Sequence, residues 1–327
     1  MSVASAQLPD DPALPALQAI RAMGPARAIA ALNIAALNVD GRPIDLRLRG
    51  YTPGSRATLE AHVGTHRFAL KAFAHDPTPV VAVYHALTTV LVPVTELRVA
   101  RLVAWDRALR VLVLDWLDGP TAAQLIKDGS GTRAGALVAQ WVCRAPSLPV
   151  SLGAAVGAAD VMTRARGWTA RLTRADRQLG ATAAAVLAIL ARAQPHETSR
   201  HLIHGTLYPR HVVDLGESAG LIDWDRFGQG PAELDAGTFL ATTWRSGLRH
   251  REAARTEAAF LAETAGLLDE HALAWYRTAF LVRLANKLNR RPGSGRTRAW
   301  ALVREAARVA ASLEPATTRD NRRTQEH

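Results

Sequence analysis

Residues 201–230 read HLIHGTLYPRHVVDLGESAGLIDWDRFGQG, and the rest of the chain is best read outward from them. The stretch is rich in loop-forming residues and holds an aspartate, Asp223, inside an apolar setting. Ala/Leu-rich segments with helical spacing lie on both sides, at about 121–128, 132–145, 152–175 and 181–194 before it and 231–245, 250–267, 270–288 and 297–313 after it. One loop-rich segment therefore interrupts a long helical region.

Upstream the period changes. IDLRLRGY (44–51), RATLEAHV (56–63) and HRFALKAF (66–73) alternate or run short and apolar, separated by the turn signals TPGS and GT. They predict a three-stranded antiparallel meander. A helix over 78–90 and two more strands, 98–106 and 109–117 with a turn at Arg107 and Ala108, complete a small β-rich unit. The expected organisation is α+β: a helical extension over 1–43, a β-rich lobe over 44–117, a helical lobe over 118–315 and a polar, disordered tail over 316–327.

Composition narrows the function classes. The chain has 327 residues, 48% of them hydrophobic and 21% charged, as expected of a soluble globular protein. Its one cysteine, Cys143, closes no intramolecular disulfide, and a reducing cytoplasm is the expected location. The longest apolar run, 79–94, is interrupted by His85, Thr88, Thr89 and Pro93, so it predicts a buried helix and no membrane span. The formal charge is +11, but 37 of the 40 basic residues are arginine and they are spread along the chain. No zinc-finger or RNA-recognition pattern accompanies them, so nucleic acid is not an expected partner. Against that arginine background, the lysine in FALKAF, Lys71, stands out as a residue with a task.

HGTLYPRH (204–211), LIDWD (221–225) and the later LDAGTFLA (234–241) together resemble the aminoglycoside phosphotransferase and choline kinase superfamily. That superfamily has a protein-kinase-like bilobal fold, and the likeness runs from about 44 to 290. It implies ATP and Mg²⁺ as cofactors and a hydroxyl of a small molecule as acceptor. Lys71 would contact the phosphates, Gly54 and Ser55 would lie in a turn covering them, Asp115 and Leu117 would meet the adenine, and Asp223 would hold the metal. Phosphoryl transfer needs these parts because its catalysis is mostly positioning and charge neutralisation.

The motif departs from the family at three points. Thr206 stands where the resemblance places a catalytic aspartate, and a neutral hydroxyl is a poor base at neutral pH. His211 stands at the metal-binding asparagine, and imidazole suits Mg²⁺ badly. The helix at 78–90 has no acidic residue to pair with Lys71; the nearest are Asp76 and Glu96. His204 is expected to be a structural hydrogen bonder, Arg210 to take up phosphate charge, Asp225 to pack or to pair with Arg226, and Asp235 either to face a cationic acceptor with Glu233 or to cap the helix near 231. Two readings follow. One is a nucleotide-binding pseudokinase that regulates a protein partner; the other is an active ATP-dependent phosphotransferase.

Overall fold

A computed structural model describes residues 8–30, 44–91, 97–197, 199–248, 250–290 and 295–314. The expected disordered tail, and residues 1–7 and 31–43 of the expected helical extension, lie outside the described residues. The chain divides into two compact units: Met1–Gly119 with Val213–Asp225, and Pro120–Val212 with Arg226–His327. The segment Val213–Asp225, counted with the helical lobe in the sequence reading, thus groups with the β-rich unit.

The first unit is built on a five-stranded sheet in the order β1-β2-β3-β6-β5, with β1 Ile44–Thr52, β2 Arg56–Val63, β3 His66–Phe73, β5 Leu102–Asp106 and β6 Val111–Asp115. All its pairings are antiparallel. Strand alternation sorts the side chains into two faces. Ala57, Leu59, Ala61, Phe68, Leu70, Ala72, Val111 and Val113 belong to one buried apolar cluster with Leu14, Leu17, Ile20 and Ile29. Leu17 and Ile20 come from helix α1 (Pro15–Met23), Leu14 caps its start and Ile29 lies on α2 (Pro25–Ala30), so the N-terminal segment completes this core. Thr58, Glu60 and His62 on β2, with Arg67, Ala69 and Lys71 on β3, alternate onto the opposite face.

Helix α3 (Thr78–Leu91) buries Val80, Val81, Val83, Tyr84, Leu87 and Leu91. The strand expected over 98–106 is two strands. β4 (Leu97–Val99) leaves the main sheet and pairs in parallel with β9 (Ala219–Leu221), beside β8 (Val212–Asp214); β5 begins only at Leu102. An apolar run cannot report which of two sheets will take its hydrogen bonds, and β9 comes from more than a hundred residues away.

The second unit is helical: α4 Ala122–Lys127, α5 Gly131–Arg144, α6 Ala158–Ala175, α7 Arg177–Arg192, α8 Ala232–Gly247, α9 Glu252–Glu263, α10 Glu270–Asn289 and α11 Gly295–Ala310. Its starts are written locally. Thr121 and Gln124 form a reciprocal capping box on α4, Asp176 accepts from the amides of Gln178 and Leu179, and Asp269 accepts from that of Ala272. Between α7 and α8, β7 (His201–Ile203) pairs antiparallel with β10 (Gly228–Gly230). Among the described residues no helix is long and apolar enough to cross a membrane.

Candidate functional site

Lys71 lies centrally in the sheet, beside Thr58 on β2 and Leu112 on β6, and is 4% exposed. A buried ammonium needs charged partners. Its Nζ donates to Asp223 Oδ1 at 2.7 Å and to Asp225 Oδ1. Burial pulls the lysine pKa down, but the two carboxylates outweigh it and hold the amine above its ordinary range. The partner missing from α3 is therefore supplied by the segment after β9. Tyr84 occupies α3 near the ammonium; burial raises its hydroxyl to about 12, so it stays neutral.

The local chain explains how two carboxylates reach one lysine. Asp223 has φ 72°, a left-handed conformation that aspartate tolerates better than bulky residues. Trp224 behind it is fully buried, anchoring the turn while its two acidic neighbours both meet Lys71. Asp225 does not pair with Arg226: Arg56 Nη1, at the start of β2, donates to Asp225 Oδ2 and lies 3.9 Å from Asp223 Oδ1. Arg56 escaped the sequence reading because nothing distinguishes it among 37 arginines; its place directly after the TPGS turn was the available signal.

That turn is already committed. The Gly54 amide donates to Asp11 Oδ2 at 2.8 Å, the Ser55 amide to the Thr52 carbonyl at 3.1 Å, and Asp11 also accepts from Tyr51 Oη at 2.9 Å. Farther along the sheet, Glu60 is fully buried and accepts from Arg49, Arg67 and His62. Arg67 also pairs with Asp118, and its guanidinium lies 4.6 Å from the centre of the Trp116 ring. Asp115 and Leu117 flank Trp116 and line, with Arg67, Leu91 and Leu215, a cavity of about 1040 Å³.

In the second unit, Thr206, His204, His211 and Arg210 are close neighbours. His204 is fully buried, and its ring stacks on that of His211 at 5.3 Å; Tyr208 lies 5.1 Å from His211 on another side. The Thr206 carbonyl is 2.8 Å from His211 Nδ1. Arg210 is exposed, with its guanidinium 4.5 Å from the Tyr208 ring centre. Asp235 does not cap α8. It is buried and accepts from the His204 amide at 2.6 Å, the Gly205 amide at 2.8 Å and Trp141 Nε1 at 3.1 Å, so it holds the backbone of this loop in place. Burial raises its carboxyl pKa, opposed by those donors.

The profile of the phosphotransferase enzyme family matches residues 62–281, two thirds of the chain. The chain belongs to that family. Among solved structures, a thermostable mutant of aminoglycoside phosphotransferase APH(4)-Ia, in ternary complex with ADP and hygromycin B, matches at a TM-score of 0.60 and 12% identity, over 87% of this chain and 97% of that one. The choline kinase LicA from Streptococcus pneumoniae matches at 0.60 and 12%, over 88% and 99%. Spectinomycin phosphotransferase APH(9)-Ia, in complex with ADP and spectinomycin, matches at 0.54 and 13%, over 82% and 93%. At these identities the likeness is one of fold. No curated protein sequence matches the chain. Within the phosphotransferase family, this member has a lysine paired to two aspartates, and threonine and histidine in its central motif.

Proposed function

We propose that this phosphotransferase-family protein binds a nucleotide but has lost efficient phosphoryl transfer. The observation that carries the reading is the meeting of Lys71 and Asp223, 152 positions apart in sequence, as a near-buried ion pair. Lysine against a carboxylate after a β strand is the charge arrangement that a nucleotide's phosphates exploit. ADP in two of the similar structures, and the cavity beside Asp115 and Leu117, support the same ligand class.

The remaining positions argue against turnover. Thr206 supplies a hydroxyl where deprotonation of an acceptor alcohol calls for a carboxylate, and removal of a general base commonly costs about 10²–10⁴ in rate. Mg²⁺ needs several hard oxygen ligands. Asp223 offers one; at position 211 the ring is packed against His204 and Tyr208 with one nitrogen on a backbone carbonyl, which does not fit that ion. No catalytic step is therefore assigned to a metal. The second reading, an active enzyme phosphorylating a hydroxyl of a small molecule, is favoured by the family itself.

Thermal denaturation in the presence of ATP separates these outcomes. The expected result is a rise in melting temperature with millimolar ATP, abolished by Lys71→Met, with no phosphate released over hours. Absence of any rise would end the nucleotide reading; steady phosphate release that Asp223→Ala stops would establish the active enzyme.

A further inference from the structure

The geometry points to Arg56 as a phosphate-binding residue, a second cation that lets this site hold a nucleotide's phosphates without a divalent metal. The inference rests on the nucleotide reading above and assigns a role to a residue outside the family motif. Four observations carry it. Arg56 sits beside Lys71 on the same pair of aspartates, Asp223 and Asp225, so the two cations share one electrostatic centre. Its side chain is 35% exposed while that of Lys71 is 5% exposed, which makes the guanidinium the more accessible donor of the two.

Second, a guanidinium has five N–H donors in a planar fork suited to phosphate. Only Nη1 of Arg56 is engaged, by Asp225, and among the described residues Nε and Nη2 carry no hydrogen-bond partner. Third, the neighbouring backbone amides are not available for phosphate, because Gly54 donates to Asp11 and Ser55 to Thr52. An anion reaching the end of this turn meets the side chain of Arg56 instead. Fourth, charge balance changes: Lys71 with Asp223 and Asp225 alone carries a net negative charge, which repels phosphates unless a metal intervenes. Arg56 neutralises the group.

The test is calorimetric titration of the full chain with ATP and with adenosine, each in EDTA and in Mg²⁺, for the wild type, Arg56→Gln, Arg56→Lys and the control Arg47→Gln, a half-buried β1 arginine paired with Asp45. ATP affinity in EDTA is expected within about threefold of that in Mg²⁺. Arg56→Gln is expected to weaken ATP in EDTA by about tenfold or more, the size of a lost charge-assisted contact. Arg56→Lys should fall in between, while adenosine binding and the control stay unchanged. ATP binding that requires Mg²⁺ and ignores Arg56→Gln overturns the Arg56 assignment and leaves the nucleotide reading standing. Equal loss for adenosine and ATP makes Arg56 structural and overturns it as well. No binding of either ligand under any condition overturns both. Should Arg56→Gln fail to fold, Arg56→Lys decides: a weakened metal-free ATP affinity with adenosine binding unchanged supports the assignment, and an unchanged ATP affinity or an equal loss for adenosine rejects it.

Discussion

Glu60 keeps its charge with no solvent at all, because Arg49, Arg67 and His62 surround it. Burial raises its pKa, but those partners outweigh burial and bring it from 4.5 down to about 2. The folded state thus prefers the ionised form more than the unfolded chain does. The stability this provides is complete above about pH 4.5 and is lost as pH falls toward 2. Denaturant unfolding of the wild type and Glu60→Gln should show a constant difference from pH 6 to 8 that shrinks between pH 5 and 2. A gap that stays flat down to the acid limit would refute the role. In sequence, Glu60 was indistinguishable from a solvated strand residue, since alternation placed it off the apolar face and only its neighbours' arginines enclose it. Lys71 was legible for the opposite reason: one of only three lysines in an arginine-rich chain, within an apolar run, is informative by type alone.

At the scale of elements, helix contacts are set by small residues that no periodicity marks. On α5, a Cβ added to Gly135 would lie 2.3 Å from the Thr256 carbonyl oxygen of α9 and 2.9 Å from the Phe260 amide. The obstacle is backbone and cannot swing aside. Gly135→Ala gains about 1 kcal/mol of helix propensity and meets an overpacking cost of about 1–3 kcal/mol. Because the clash is with main chain, the cost is expected to win, lowering the melting temperature by several degrees. Gly167 on α6 is the matching control: its added Cβ comes no nearer than 3.5 Å to the end of Arg171, so Gly167→Ala should raise the melting temperature. Both being stabilising would mean that α5 and α9 can separate freely. Helix starts, by contrast, were readable, because Thr121, Asp176 and Asp269 act on amides two or three residues away. The divided course of 97–106 was not, since β4 depends on β9.

Over the whole molecule, the N-terminal segment is a structural part of the β-rich unit. Leu14, Leu17, Ile20 and Ile29 are each at most 4% exposed against the sheet, and Asp11 holds the turn at Gly54. Each such aliphatic side chain contributes about 1.5–3 kcal/mol when buried, and a domain's net stability is only about 5–15 kcal/mol. A chain beginning at residue 31 is therefore expected to lose the β-rich unit, with the far-ultraviolet strand signal and melting transition reduced and the product prone to aggregate; an unchanged melt would show that the sheet needs no cover. The sequence by itself determined the α+β layout, the meander, the helical region and the departures at Thr206 and His211, because each is expressed by residue type or spacing within a few positions. Only the tertiary structure decided that Asp223 and Asp225 share Lys71, that Arg56 joins them, and that Asp235 holds the His204 loop. Those contacts link positions 31 to 169 residues apart, and a charge's partner is settled by which carboxylates the folded backbone brings within hydrogen-bond reach.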